Sequence, residues 1–178
     1  MSNQKPLIEL QANFRNGSTT AMPIAGLIAW TALGLAALWL DDVMIAQSAL
    51  YIMAAILPMA YLIDKSRGRN LFAGGTENPL TGLFLWSIGT IAVIVPLVIL
   101  GANQGNPLIL VLGMAILAGV IWIPYGWAAD DPVGGRHAIG RAVGCYVAYY
   151  VVPAPYQATS ICAVVALSYI YSLSFLRR

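Results

Sequence analysis

The sequence predicts an all-α fold, a polytopic bundle of six transmembrane helices with both termini on the inner side of the membrane. Of the 178 residues, 60% are hydrophobic and 9% are charged, whereas a soluble domain carries roughly 25% charged residues. The charges fall in short clusters and leave apolar runs of about 20 residues, the length that a helix needs to cross the hydrocarbon core. No segment shows the alternating pattern of outer-membrane strands.

The chain divides into a short polar segment and one membrane domain. Residues 1–19 are predicted to be a cytoplasmic tail or an interfacial helix, because Leu7, Leu10 and Phe14 recur at helical spacing. Residues 20–178 are predicted to form a single domain of six spans. These spans can be grouped into three helical hairpins. The expected spans are Thr20–Leu40, Val43–Ile63, Leu80–Gly101, Asn106–Trp127, Ala138–Val152 and Tyr156–Phe175.

Several span boundaries have recognisable capping residues. Asn78-Pro79-Leu80 predicts a helix start, with asparagine as the N-cap and proline at the first helical position. Asn106-Pro107-Leu108 repeats the pattern before the fourth span. Asp41 or Asp42 is expected to cap the second span, and a kink is expected at Pro58.

The distribution of basic residues determines the predicted orientation. With six spans and an inner N-terminus, the outer turns contain no Lys or Arg, as the positive-inside rule requires. The N-terminal segment shows no cleavable signal peptide, so the first span is expected to direct insertion into the membrane. The inner segments hold all nine basic residues: Lys5, Arg15, Lys65, Arg67, Arg69, Arg136, Arg141, Arg177 and Arg178.

The fifth span is short and contains Arg141, whose side chain is expected to snorkel to the inner headgroups. Arg136 and His137 are placed in the preceding loop, as solvated charges or as part of a patch for lipid headgroups. The net charge of +2 gives no reason to expect a nucleic-acid partner. The bilayer itself is the predicted partner.

The stretch Ile56–Leu80 is predicted to act as the hinge between two helical hairpins. Its first half, from Pro58 to Asp64, has a partial copy from Pro124 to Asp130: each has proline, an aromatic residue three positions on, and aspartate three further. The similarity indicates either an internal duplication or the shared chemistry of inner helix ends.

The same residues resemble a known family. Pro58 with Leu62-Ile63, Leu71-Phe72, Asn78-Pro79-Leu80 and Pro124-Tyr125-Gly126-Trp127 are similar in order and spacing to motifs of a family of small uncharacterised bacterial integral membrane proteins with six helices. The resemblance covers residues 56–127. It implies the fold and a bacterial origin, and it carries no activity.

The last two spans contain the candidate binding residues. Tyr146, Tyr149 and Tyr150 share one helical face, and Gln157 and Ser160 follow in the next span. One interpretation is a pocket for a small neutral or amphipathic molecule or a lipid, to be bound or transported without a cofactor or a metal. The other, favoured for these side chains, is that they bridge packed helices and anchor the outer interface.

Two further function classes remain open. One is a structural or partner-binding membrane subunit, and pairing of chains into a homo-oligomer is expected because six short spans enclose little volume. The other is a membrane-embedded enzyme using Asp130, Asp131 and His137, although a loop cap is the preferred role for the two aspartates. The absence of acidic residues at mid-depth in any span is evidence against a transporter driven by an intramembrane carboxylate.

Overall fold

The computed structural model describes residues 5–69 and 77–177, and within these ranges the chain is entirely helical, with no strand. The all-α prediction is therefore confirmed. The described residues form eight helices: α1 (Leu7–Gly17), α2 (Ala21–Ala36), α3 (Asp42–Ser66), α4 (Pro79–Gln104), α5 (Leu108–Val120), α6 (Trp122–Ala129), α7 (Pro132–Val151) and α8 (Gln157–Phe175).

Several of these helices are long and apolar enough to cross a membrane. Four segments in the described chain meet that requirement by themselves: α3, α4, α5 continued by α6 over Leu108–Ala129, and α8. A fifth is obtained if α1 and α2, which meet at a bend of 52°, are counted as one broken span. The helix α7 is long enough, but its arginines, histidine and glycines make it less apolar than the others.

The predicted helix starts are confirmed where they were assigned. The Asp41 carboxylate accepts a hydrogen bond from the Met44 N–H at 2.8 Å. The Asn78 side chain caps α4 by accepting from the Leu80 N–H at 3.0 Å, and Asn106 does the same for Leu108 at 2.9 Å. Each cap satisfies a donor that the first turn of a helix leaves without an intrahelical partner.

The helix α1 packs against α4 and α6. Phe14 is buried, and its ring lies 5.9 Å from that of Phe84 and 5.8 Å from that of Tyr125. Arg15 donates to the Ala129 carbonyl, and the Asn78 amide donates to the Leu10 carbonyl. The segment is therefore an ordered helix whose apolar side joins α4 to α6.

The core lies between α2, α3, α5, α7 and α8. The helix α2 packs on α3 and α8, and α7 packs on α8, α5 and α6. The helix α4 lies at the edge, and only Leu80 and Ala102 of its residues are buried. The lack of a side chain on Gly34 lets α2 and α8 approach closely. A Cβ at this position would lie only 2.8 Å from the Cβ of Cys162.

The position of α7 corrects the sequence prediction. A loop was expected up to residue 137, but the helix begins at Pro132, with Asp131 as the N-cap accepting from the Val133 N–H at 3.0 Å. Arg136 and His137 are therefore helical residues. The Asp-Pro pair acts as Asn78-Pro79 does, because proline has no N–H to leave unsatisfied at the first helical position.

The two copies of the proline-to-aspartate motif end in different environments. Asp64 is buried in the last turn of α3, whereas Asp130 is exposed and left-handed, with φ 51°. Pro58 lies inside α3. Residues 70–76 lie outside the described residues, and with them Leu71-Phe72 and the centre of the predicted hinge.

A glycine pair allows α6 and α7 to touch through their backbones. A Cβ on Gly134 would overlap the Trp122 carbonyl and the Gly126 backbone, and a Cβ on Gly126 would meet the Asp131 carbonyl oxygen at 2.7 Å. Backbone atoms cannot move aside as a flexible side chain does. This contact holds the first turn of α7 against α6. It therefore fixes which face of α7 points into the bundle.

Neighbouring glycines provide a matched test of this contact. Gly134→Ala is expected to destabilise the protein by about 1–3 kcal/mol, the usual cost of overpacking. Gly135→Ala is expected to be neutral or to stabilise by up to ~1 kcal/mol, since its Cβ would point into open space. Thermal unfolding of the purified protein in detergent measures both, and equal melting temperatures would contradict the assigned contact.

Candidate functional site

Arg141 is completely buried near the middle of α7, with 0% of its surface exposed. It lies nine residues after Pro132, or roughly 14 Å along the helix axis at 1.5 Å per residue. The expectation that Arg141 snorkels to the inner headgroups is wrong. The side chain is on the face of α7 that packs into the bundle, the face that also carries the buried His137 and Cys145.

Two aromatic rings surround the Arg141 guanidinium. Its central carbon lies 5.5 Å from the ring centroid of Trp30 in α2 and 5.2 Å from that of Tyr169 in α8. Aromatic faces attract a cation through the ring quadrupole, more strongly when water is excluded. The glycines Gly26 and Gly119 make room, because a Cβ on Gly26 would overlap the Tyr169 ring and one on Gly119 would lie 3.0 Å from Arg141 Cδ.

His137 connects the arginine to α8. Its Nδ1 is 2.6 Å from the Ser172 hydroxyl, and its Nε2 is 3.5 Å from Arg141 Nη1. Arginine only donates, so the contact with Nη1 requires Nε2 as the acceptor, and Nδ1–H then donates to Ser172. The imidazole also stacks on Trp122, with centroids 4.1 Å apart and planes inclined by 16°.

The charge of Arg141 has no carboxylate partner in the described part of the chain. The ion pair formed there joins Lys5, which precedes α1, to Glu9 in its first turn, and both side chains are exposed. Two of the Arg141 donors, Nε and Nη2, are buried without a hydrogen-bond acceptor. Because an uncompensated buried charge is strongly destabilising, packing alone does not account for the position of this guanidinium, nor for that of the Asp64 carboxylate, whose two oxygens are also buried without a partner.

A groove between α7 and α8 reaches this cluster. Its volume is about 340 Å³, and its lining residues come from these two helices. Gly140 keeps it open, since no atom lies within 4 Å of the position that its Cβ would occupy. The lining residues are Arg136, His137, Gly140 and Arg141 from α7, and Val164, Leu167, Ser168 and Tyr171 from α8.

None of the five predicted ligand-binding residues lines this groove. Tyr146 and Tyr150 are 49% and 77% exposed on the outer surface of α7. Gln157 donates to the Tyr149 carbonyl at 2.8 Å, and the Tyr149 hydroxyl is 3.2 Å from the Asn106 amide. Ser160 is half-buried in α8. Tyr149 and Gln157 thus form hydrogen bonds between helix ends.

The three residues of the predicted enzyme site, Asp130, Asp131 and His137, have different surroundings. Asp131 is occupied on both oxygens, by the Val133 N–H and by the Arg177 N–H at 2.8 Å. The sequence favoured a loop cap for this residue, whereas in the structure Asp131 is the N-cap of α7. His137 instead bonds to Ser172, and Asp130 is exposed at the end of α6.

Sequence reasoning missed the cluster because it started α7 too late. With Asp131-Pro132 taken as a cap and first turn, His137 and Arg141 fall at positions i and i+4 on one helical face. That face also carries Ala138, Cys145 and Ala148, which are buried, so an inward direction was available from the pattern. The aromatic partners Trp30, Trp122 and Tyr169 come from three other helices and have no signal in sequence spacing.

A family match extends over nearly the whole chain, from residue 7 to residue 178. The chain belongs to DUF7010, a family of unknown function. The expectation of a family without an assigned activity is confirmed at that level, and the match takes in α7 and α8, which the sequence motifs left out. No curated protein and no solved structure matches this DUF7010 chain.

Removing the buried charge tests whether the cluster is kept for stability. Arg141→Met retains most of the side-chain volume and removes the unpartnered donors. The free energy of unfolding of the ligand-free protein is therefore expected to stay equal or to rise by about 1–4 kcal/mol, which a melting temperature reports. Ala142→Met, at the half-buried neighbouring position, is the control. A marked loss of stability in Arg141→Met alone would show that the cation is a packing element.

Proposed function

We propose that this DUF7010 protein is a multi-pass protein of the bacterial cytoplasmic membrane that binds or transports a small amphipathic molecule or a lipid. The groove between α7 and α8 is the proposed binding site. The observation that carries the proposal is Arg141, a buried cation with two unpartnered donors that lines this groove. Ionisable groups at membrane depth are costly, and they commonly mark ligand pathways.

The groove has the two kinds of surface that an amphipathic molecule requires. Val164 and Leu167 provide an apolar wall, while Arg136 and Ser168 provide polar groups beside the buried cluster. A cleft between two adjacent helices opens sideways, so an amphipathic molecule can enter it from the bilayer. Its volume of about 340 Å³ falls within the range of roughly 300–1,000 Å³ that small-molecule sites occupy.

The proposed topology has six spans in one domain, with both termini in the cytoplasm. The spans are α2, α3, α4, α5 continued by α6, α7 and α8. The absence of basic residues from the three outer turns supports the orientation. In this arrangement α1 lies at the inner surface, on the ends of α4 and α6.

A second candidate is a partner-binding subunit or a homo-oligomer joined through α4. This helix buries few of its own residues, and Trp86 and Val93 are 79% and 75% exposed. Lipid would cover such a face equally well, so the observation favours the candidate less than the groove favours ligand binding. No amphipathic ligand is required by this second function.

Filling the groove is expected to abolish binding. Gly140→Phe places a ring in the cleft, whereas Gly135→Phe adds the same ring on α7 at a glycine with equally open surroundings outside the groove. A single-chain amphiphile that raises the melting temperature of the wild type should still do so in Gly135→Phe and fail in Gly140→Phe. The measurement is ligand-dependent thermal unfolding in a neutral detergent.

Equal stabilisation of both variants would contradict the groove as the site. If no amphiphile of any headgroup stabilises the wild type, the partner-binding candidate is favoured instead.

Reporter fusions test the topology. A fluorescent protein that matures only in the cytoplasm is expected to fluoresce when fused after Arg178, and alkaline phosphatase, active only outside, is expected to be active when fused after Gln104. The two reporters exchanged between these positions serve as controls and should be silent. Phosphatase activity after Arg178 would overturn the proposed orientation.

A further inference from the structure

We infer that the ligand of the α7–α8 groove is an anion, a single-chain amphiphile whose oxyanion headgroup is bound by Nε and Nη2 of Arg141. The headgroup is a carboxylate or a phosphate, which share the required pair of acceptor oxygens. The inference rests on the proposed function, since it assumes that the groove holds a ligand. It adds the chemical class of that ligand and the atoms that recognise it.

Two donors of the guanidinium have no partner, but the whole side chain is buried, so a headgroup in the groove reaches them only when Arg141 turns toward it. Its environment includes the rings of Trp30 and Tyr169, and Nη1 is directed to Nε2 of His137. The donors without a partner are Nε and Nη2. These two N–H groups are parallel and form the side of the fork that binds two oxygens of one carboxylate or phosphate.

The charge of the cluster requires an anion rather than a neutral polar molecule. The described residues place no carboxylate within ion-pair distance of Arg141, and a guanidinium remains charged in proteins. Arg136, on the same helix and also lining the groove, adds a second cation nearer the start of α7. A neutral headgroup would satisfy the two donors and leave the buried charge of Arg141 uncompensated.

The dimensions and walls of the groove limit the rest of the ligand. Leu167 is exposed and Val164 is half-buried along α8, so the part of the ligand next to them is apolar. A volume of about 340 Å³ suits one short hydrocarbon chain better than the two chains of a bilayer phospholipid, because ligand sites bury most of the surface of what they bind.

The experiment compares headgroups on one chain length, using the full-length protein in dodecyl maltoside. Thermal unfolding is followed with dodecanoate, dodecyl phosphate, dodecanol and dodecyltrimethylammonium, and with acetate and inorganic phosphate as anions that lack a chain. The variants are Arg141→Gln, which removes the charge, and Arg141→Lys, which keeps the charge but cannot form a bidentate pair of hydrogen bonds. Gly135→Phe serves as a binding-competent control.

The expected result is stabilisation of the wild type by one or both of the anionic amphiphiles and by none of the other compounds. The shift should disappear in Arg141→Gln, and the affinity should fall about tenfold or more in Arg141→Lys, the equivalent of one charge-assisted hydrogen bond. If Arg141→Gln does not fold, the Arg141→Lys affinity decides. The relative shifts from dodecanoate and dodecyl phosphate distinguish a carboxylate from a phosphate headgroup.

Three results would overturn the inference. Equal stabilisation by dodecanol, an unchanged affinity in Arg141→Lys, or a full shift from acetate or phosphate alone would each do so. The first leaves the proposed function intact if Gly140→Phe still abolishes the shift. By contrast, stabilisation by anions that is lost in Arg141→Gln but kept in Gly140→Phe would place the anion at Arg141 outside the groove and contradict the proposed function.

Discussion

The burial of one positive charge is the constraint on which the centre of this bundle depends. Arg141 is held inside four helices, by Trp30 of α2, by Tyr169 of α8, by His137 of α7 and beside Gly119 of α5. Cation–π attraction and a single contact to imidazole offset part of the free energy that the guanidinium loses when it leaves water. This shell of side chains does not supply an acceptor for Nε and Nη2, so the cost is only partly offset.

The shell is possible because small residues let the helices approach one another. Gly26 accommodates the Tyr169 ring, Gly34 lies against Cys162, and Gly134 meets Gly126 backbone to backbone. Helix association in a membrane relies on this kind of van der Waals contact, since lipid offers no hydrophobic driving force between apolar helices. The same approach places Trp122 against His137. Packing of the backbones and positioning of the buried charge are therefore one structural arrangement.

Local chemistry was predictable where a residue acts on its own neighbours along the chain. Asn78 and Asn106 cap their helices as their sequence context indicates, and Phe14 is on the apolar side of a helix that its spacing predicts. The same reasoning, applied to Asp131-Pro132, gives the correct start of α7. Arg141 shows why one misplaced boundary matters: read from Ala138 it is near a helix end, and read from Pro132 it is near the middle.

The sequence by itself determined the helical class and the apolar segments, because hydropathy and capping depend on residues close together in the chain. It also contained the distribution of basic residues on which the proposed orientation rests. Only the tertiary structure decided which polar groups matter. Tyr146 and Tyr150 point outward, while Arg141 and His137 point inward. The guanidinium of Arg141 contacts the rings of Trp30 and Tyr169, which are more than a hundred residues apart from each other in the chain. Such contacts depend on how helices pack against each other, and no local pattern encodes that packing.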